Sequence, residues 1–378
     1  MKKIVFLGPV HPFRGGIASF SERLAQEFIT LGNKVELHTF TLQYPSILFP
    51  GKTQFTNSKA PENLTIKRTY SSINPISWYT AGKAIKKLKP DLVICRFWLP
   101  FMAPCFGTII KIIKTNKHTK VLAIVDNIVP HEKRIGDKTL AQFFCNQVDA
   151  FVAMSKSVVD SLKGFVTTQP IKYIPHPIYD NYGNPLVKNE ARKWLNISPS
   201  EKIILFFGFI RDYKGLDLLI KAMADERIKA AGIRLVIAGE YYANQAAYEQ
   251  LIEELEVRDQ LILKTDFIPD EEVKYYFSAA DLVVQTYKTA TQSGISQLCY
   301  HFEKPMVVTN VGGLPEIVQH GKAGYVVEVD PKSIADGILQ FYNENREAEF
   351  AEAVAIRKKE FGWHTMTDGI EELIATKV

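Results

Sequence analysis

Cysteine is scarce: four residues in 378, at positions 95, 105, 145 and 299, with none of the paired spacings of a zinc or dithiol site. That excludes a disulfide framework and suits a reducing compartment, where thiols serve as core residues. Long apolar runs are missing too. The longest candidate, "FWLPFMAPCFGTII" (97–110), is too short for a membrane span and holds two prolines. After Lys2 and Lys3 the run "IVFLGP" is too brief for a secretory core before His11 and Arg14. A cytoplasmic chain is expected, with peripheral contact at the inner face of a membrane left open. No Asp-x-Asp pair follows a strand, and no Gly-x-Gly-x-x-Gly follows the first one. Metal-bound and dinucleotide-bound readings lose their usual signatures. Nucleic acid is not expected as a partner, because helix-turn-helix, basic arm and aromatic-basic platform are all wanting.

Acidic residues are sparse in the front half only. Residues 1–178 carry 24 Lys and Arg against 10 Asp and Glu, a net of +14. Residues 179–378 carry 22 against 31, a net of −9, and the two give the whole-chain +5. A front half that faces something anionic fits this asymmetry, and so does attraction between two domains of opposite charge.

What is present reads as α/β. "KKIVFLG" reads as a buried parallel-type strand, and "KVELHTF", "DLVICRF", "VLAIVDN" and "DAFVAM" are further strand candidates. Helical periodicity follows at "SFSERLAQEFITLG" and near 79–89, 104–116, 138–146 and 156–163. Pro, Gly and Asn break the pattern over 173–189, which reads as a linker. Alternation restarts with "KIILFFG", "IRLVIAG", "LILKTDF", "DLVVQTY" and "KPMVVTN". The expectation is two Rossmann-like doubly wound sheets, 1–178 and 179–360, facing a cleft, with a last helix over 361–378 returning to the first domain.

Four strand exits carry candidate chemistry. Gly15 and Gly16 open the first helix and suit a phosphate or sugar cradle, or a plain turn. In "FFGFIRDYKGLDLLI", Arg211 and Lys214 stand in the loop after a strand. A guanidinium fork and a point cation placed there suit a diphosphate without metal. In "TATQSGISQL", Ser293, Gly294 and Ile295 begin a helix whose first amides lack partners; an anion or a simple serine cap satisfies them. In "TNVGGLPEIV", Gly312 and Gly313 precede Pro315 and Glu316, the latter placed for a ligand or for the helix dipole. One further segment, "GTIIKIIKTNKHTK" (107–120), interleaves isoleucines with Lys111, Lys114, Lys117 and Lys120. It fits either a docked helix or a face laid on acidic lipid.

Together, "GGIASFSERLAQEFITLGNKVEL", "DAFVAMSKSVVDSLK", "YIPHPI", "ILFFGFIRDYKGLDLLIKAM", "LVIAGE", "ADLVVQ" and "KPMVVTNVGGLPEIVQHGKAGYVVEV" resemble the GT-B glycosyltransferases, specifically the retaining family 4 group. The resemblance implies a nucleotide sugar held by the second domain, an acceptor held by the first, and transfer with retention. It assigns the diphosphate to Arg211 and Lys214, with Phe209 where the family usually has arginine. It adds Gly15, Gly16 and Gly239 to the donor site, together with Ser293, Gly294, Ile295 and Glu316.

Two departures stand out. The family's glutamate pair falls at Thr291 and Cys299, or at Ala290 and Leu298, so no carboxylate is supplied. Gln292 and Ser293 then offer neutral hydrogen bonds, as in relatives with a Q-S-G loop and a downstream glutamine. Where the family often has histidine, Asp126 and Asn127 stand, and His131 with Glu132 follows. Asp126 and His131 join Arg211 and Lys214 as catalytic candidates. No cofactor or metal is implied. The partners implied are a nucleotide-sugar donor and a glycan or lipid-linked acceptor, as in surface polysaccharide assembly. A nucleotide-sugar epimerase and a non-catalytic subunit of a glycan-assembly complex are the alternatives.

Overall fold

In the computed structural model, residues 1–45, 53–56, 58–128, 136–242, 244–290 and 293–377 are described. They divide into two units: Met1–Pro177 with Trp363–Val378, and Ile178–Gly362.

The first unit runs β1 (Lys3–Leu7), α1 (Gly16–Thr30), β2 (Lys34–Leu42), β3 (Ile66–Ser71), α2 (Pro75–Leu88) and β4 (Leu92–Phe97). It continues with α3 (Ala103–Lys114), β5 (Lys120–Val125), α4 (Asp137–Cys145), β6 (Ala150–Ala153), α5 (Lys156–Lys163) and β7 (Ile171–Tyr173). Its parallel strands lie in the order β3-β2-β1-β4-β5-β6-β7. Helices cover both faces, which is why the strands carry apolar residues on both sides.

The second unit runs α6 (Lys188–Leu195), β8 (Lys202–Phe207), α7 (Leu216–Met223), α8 (Glu226–Ala230), β9 (Ile233–Ala238), α9 (Gln245–Glu254) and β10 (Leu261–Lys264). There follow α10 (Val273–Ala279), β11 (Leu282–Gln285), α11 (Gly294–His301), β12 (Met306–Thr309) and α12 (Leu314–Ile317). The unit ends with β13 (Gly324–Val327), α13 (Pro331–Asn343) and α14 (Glu347–Arg357). Its strand order is β10-β9-β8-β11-β12-β13. The last helix, α15 (Trp363–Lys377), packs with α1 in the first unit. There Trp363 and Phe20 bring their rings to 5.1 Å between centroids.

One device recurs at strand entries. Asp91, Asp149 and Asp281 each stand just before a strand and accept an amide from the first two residues of its neighbour: Lys3 N at 2.7 Å, Val121 N at 2.8 Å and Ile203 N at 2.7 Å. An unpaired strand-entry amide is thereby satisfied by a carboxylate, a charge-assisted bond. Asp281 does more. It is 4% exposed, takes Arg192 Nη2 at 2.8 Å and Tyr342 OH at 3.1 Å, and pairs with Lys188. Thus α6, β8, β11 and α13 are tied through one carboxylate.

The structure corrects several expectations. β3, β7 and α6 are additional elements, and the irregular linker is shorter at both ends than 173–189, since Tyr173 closes β7 and Lys188 opens α6. Of the two readings of the α3 stripe, the docked helix holds: Ile109, Ile110 and Ile113 are fully buried in the core. Gly82 of α2 admits Ile112, whose Cβ lies 2.9 Å from where a side chain on that glycine would begin. Lys114 is occupied by Asp149 at 2.5 Å.

Replacing Asp281 by alanine strands the Arg192 guanidinium, itself 3% exposed. The expected loss is about 3–5 kcal/mol, read as a lower urea midpoint, with Asp281→Asn losing less because an acceptor survives.

Candidate functional site

In each sheet the chain reverses its direction of winding beside the first strand, between β1 and β4 and between β8 and β11. Ligands of doubly wound sheets bind outside the carboxyl ends of the strands at such points. In the second unit the residues that leave β8, β9 and β11 pack together there through backbone contact. Gly239 (φ +144°) lies so close to β8 that a Cβ on it would stand 2.2 Å from the Gly208 carbonyl oxygen. Gly215 (φ +66°) is equally constrained, since a Cβ there would stand 2.0 Å from the Thr286 oxygen. Both positions demand glycine sterically and conformationally. Thr286 Oγ1 completes the clasp by donating toward the carbonyls of Gly215 at 2.8 Å and Lys214 at 3.2 Å.

That clasp holds two cations in unlike settings. Arg211 caps the short 3-10 turn Asp212–Lys214 and is exposed, its guanidinium 4.7 Å from the Tyr242 ring centroid. Lys214 is 8% exposed, its Nζ only 3.0 Å from where a Cβ on Gly208 would lie. Neither has a carboxylate partner among the described residues. Nearby Lys288, by contrast, is paired with Asp212 at 2.8 Å and Asp217 at 3.0 Å. Burial first, and the Arg211 charge second, push the Lys214 ammonium down to about 7. The protein thus holds a half-discharged amine, which a neighbouring anion would recharge.

Ile295 reaches the same spot, its Cδ1 3.3 Å from the Cβ position of Gly208. It belongs to the start of α11, which is capped by Ser293: the hydroxyl accepts Ile295 N at 3.2 Å and donates to Gln285 Oε1 at 2.6 Å. Tyr287 OH meets the same hydroxyl at 3.2 Å, and Ser296 joins through Gln285. Gly294 leaves room for Tyr179, whose ring is 2.9 Å from its Cβ position. The cap is therefore built into a buried polar network that fixes where the free amides of α11 point.

The structure thus brings Arg211, Lys214, Gly239, Ser293, Gly294 and Ile295 to one end of one sheet. Glu316 lies in α12, whose carbonyls at Glu316 and Ile317 are held by Arg357. Gly15, Gly16 and Asp126 belong to the first unit. Gly15 (φ 105°) is the N-cap of α1, and Gly16 is its first residue. Asp126 follows β5 and is 7% exposed. It is gripped by Arg96, Nε to Oδ2 at 2.6 Å and Nη2 to Oδ1 at 2.5 Å. Arg96 in turn lies 3.9 Å from the Phe20 ring centroid of α1. The geometry makes Asp126 the orienting partner of the buried Arg96 guanidinium. His131 and Gln292 lie outside the described residues, as does Thr291.

Three residues escaped the sequence reading. Tyr242, in the loop after β9, underlies Arg211, and Thr286, directly after β11, clasps Gly215. Gln297, three positions into α11, is fully buried, and neither amide atom has a hydrogen-bond partner among the described residues. A buried primary amide without partners forfeits on the order of 1–3 kcal/mol per group. Leu298 and Cys299, onto which alignment places a family glutamate, point into the core.

Two family models account for nearly all of the chain: Glycosyltransferase Family 4 over residues 14–181 and Glycosyl transferases group 1 over 187–360. The chain belongs to the group 1 glycosyltransferases. This group 1 chain is 28% identical over 209 residues to the D-inositol 3-phosphate glycosyltransferase of Mycobacterium marinum, a stretch of 52% of the chain and 43% of that protein. It spans less than half the length of curated relatives of this kind. Among solved structures, Anabaena HepE in complex with UDP-glucose superposes with a TM-score of 0.77 at 16% identity, covering 99% of this chain and 100% of that one. Sucrose-phosphate synthase from Thermosynechococcus elongatus gives 0.75 at 16%, covering 99% and 98%. The fold of this group 1 chain is GT-B.

The depressed Lys214 ammonium gives a pH signature. Below about 7 it is already cationic; above that it must take up a proton as a pyrophosphate binds. The affinity advantage of the wild type over Lys214→Met for inorganic pyrophosphate should therefore shrink on the alkaline side of 7, by up to about tenfold per pH unit. Calorimetric titration of both proteins across that range reads it directly.

Proposed function

We propose that the protein transfers a sugar from a nucleoside-diphosphate sugar to a glycan or lipid-linked acceptor. One observation carries the reading: Arg211 and Lys214, without a carboxylate partner among the described residues, stand with the capped start of α11 at the switch point of the second sheet. That is the charge pattern a departing diphosphate needs, with cations and oriented amides set in place before charge develops. The uridine nucleotides named for the HepE structures make UDP-sugars the first donors to test.

The donor's pyrophosphate sits against Arg211, Lys214 and the amide of Gly294. Gly239 and Gly208 allow main chain to approach it closely, Glu316 and Gln292 contact the sugar, and Gly15 and Gly16 serve as a phosphate or sugar cradle. The bond from the anomeric carbon to the phosphate oxygen breaks while the acceptor hydroxyl oxygen bonds to the same carbon on the same face. The hydroxyl proton passes to the departing phosphate oxygen. Charge balance is met by the two side-chain cations, so turnover proceeds without a divalent metal or other cofactor and survives EDTA. His131 lends a donor to the sugar, and Asp126 acts by holding Arg96. A place in surface polysaccharide assembly fits this donor and acceptor chemistry.

Incubation with UDP-, GDP- and ADP-sugars and a sugar acceptor should release nucleoside diphosphate with one of them. Arg211→Met and Lys214→Met should each lower kcat by on the order of 10²–10³. Proton NMR of the product should show the donor's anomeric configuration. Sugar isomerised with no acceptor present would assign the site to epimerisation instead.

A further inference from the structure

Large apolar side chains are exposed together at the amino end of α2. Ile73, Ile76 and Tyr79 are 50%, 74% and 51% exposed. The helix cannot turn them inward, because its other face is committed. Ala81, Gly82 and Ile85 are buried, and Gly82 takes Ile112 of α3 against its backbone. The end is pinned as well: Asn74 Oδ1 accepts from Ile76 N at 3.0 Å, Pro75 occupies the first turn, and Trp78 Nε1 donates to Ser71 O at 2.5 Å.

Along the outward stripe Ile76 and Tyr79 are followed by Lys83 and Lys87, in step with the helical repeat. The Lys83 Nζ lies 4.3 Å from the Tyr79 ring centroid. Lys86 and Lys89 flank the stripe. The sequence has no Asp or Glu between Glu62 and Asp91. None of the four lysines has a carboxylate partner among the described residues. We propose that this face of α2 docks on an anionic lipid bilayer, with Ile73, Ile76 and Tyr79 entering the headgroup boundary and the lysines lying against acidic headgroups.

Charge decides the occupant. A symmetric contact with a second copy would set the same lysines against one another. A neutral apolar partner would leave them with nothing to neutralise them. An acidic bilayer meets both parts of the stripe, the apolar tip and the cationic run behind it. The surface lies one helix before the isoleucine-lysine segment whose pattern first suggested lipid, and α3 supports it from beneath. The inference is independent of the reaction proposed above.

Flotation of the full chain with vesicles tests it. Co-flotation is expected with phosphatidylcholine and phosphatidylglycerol in equal parts, but not with phosphatidylcholine alone, and high salt should release the protein. Lys83→Gln with Lys87→Gln should weaken partitioning by on the order of 20-fold. Ile76→Ser with Tyr79→Ser should weaken it by about tenfold. All four positions are exposed, so the far-ultraviolet circular dichroism of these variants should match the wild type. Transfer to a soluble acceptor should be unchanged. The proposal is overturned if the wild type ignores anionic vesicles, or if both double variants float as it does. It is also overturned if the variants instead abolish a concentration-dependent dimer in sedimentation velocity, which would assign the stripe to a second copy.

Discussion

Two places where backbone touches backbone set the character of the second unit. With Gly239 against the Gly208 carbonyl and Gly215 against the Thr286 carbonyl, the loops after β8, β9 and β11 are drawn onto one another with no side chain between them. Only then is there a position for Lys214 that is buried yet unpaired, close beside Ile295 of α11. Any side chain at either glycine pushes a loop outward and lets the lysine reach solvent or an aspartate, as Lys288 already does. Steric exclusion at two glycines thus maintains an electrostatic condition.

That condition is expensive for the free protein. Burying an ammonium beside a guanidinium disfavours its charge, and the partnerless Gln297 adds an unsatisfied amide to the same helix. Such unmet capacity concentrates where a ligand is to be received, and the rest of the unit compensates. Asp281 shows the opposite arrangement within the same fold. There a buried charge is surrounded by donors from three elements, and its role is cohesion. The contrast between a satisfied and an unsatisfied charge separates scaffold from site.

Much of the fold was legible because parallel strands between two helical layers must be apolar on both faces, and "KIVFL", "LVICRF" and "KIILFF" say so unaided. β3, "IKRTYS", hid because it lies at a sheet edge, where Lys67 and Arg68 are tolerated on the open side. α6 hid because "KNEARKWL" spends its few apolar residues on one narrow contact. The α3 stripe left two readings open for a deeper reason: an amphipathic pattern states that a face is apolar, not what covers it. The cover was chosen by small residues elsewhere, Gly82 in α2 and Gly107 within α3, where a Cβ would meet Phe143 of α4 at 2.5 Å. In the site, the cations were readable from their position after a strand. The burial of Lys214 was not, since it depends on Thr286, 72 positions away in the chain. The pairing of Asp126 with Arg96 was hidden likewise by 30 intervening positions.

The cysteines, introduced above as mere core residues, have a practical side. All four are buried, and burial pushes Cys95 and Cys299 far above the ordinary thiol range and Cys145 up to about 12. Thiolate, the form that alkylates and oxidises, is thereby nearly absent at neutral pH. The native chain should accordingly react slowly with maleimides without any cysteine having to be removed. A single thiol introduced on an exposed helix position becomes a unique handle for a fluorophore or spin label, on an otherwise wild-type background.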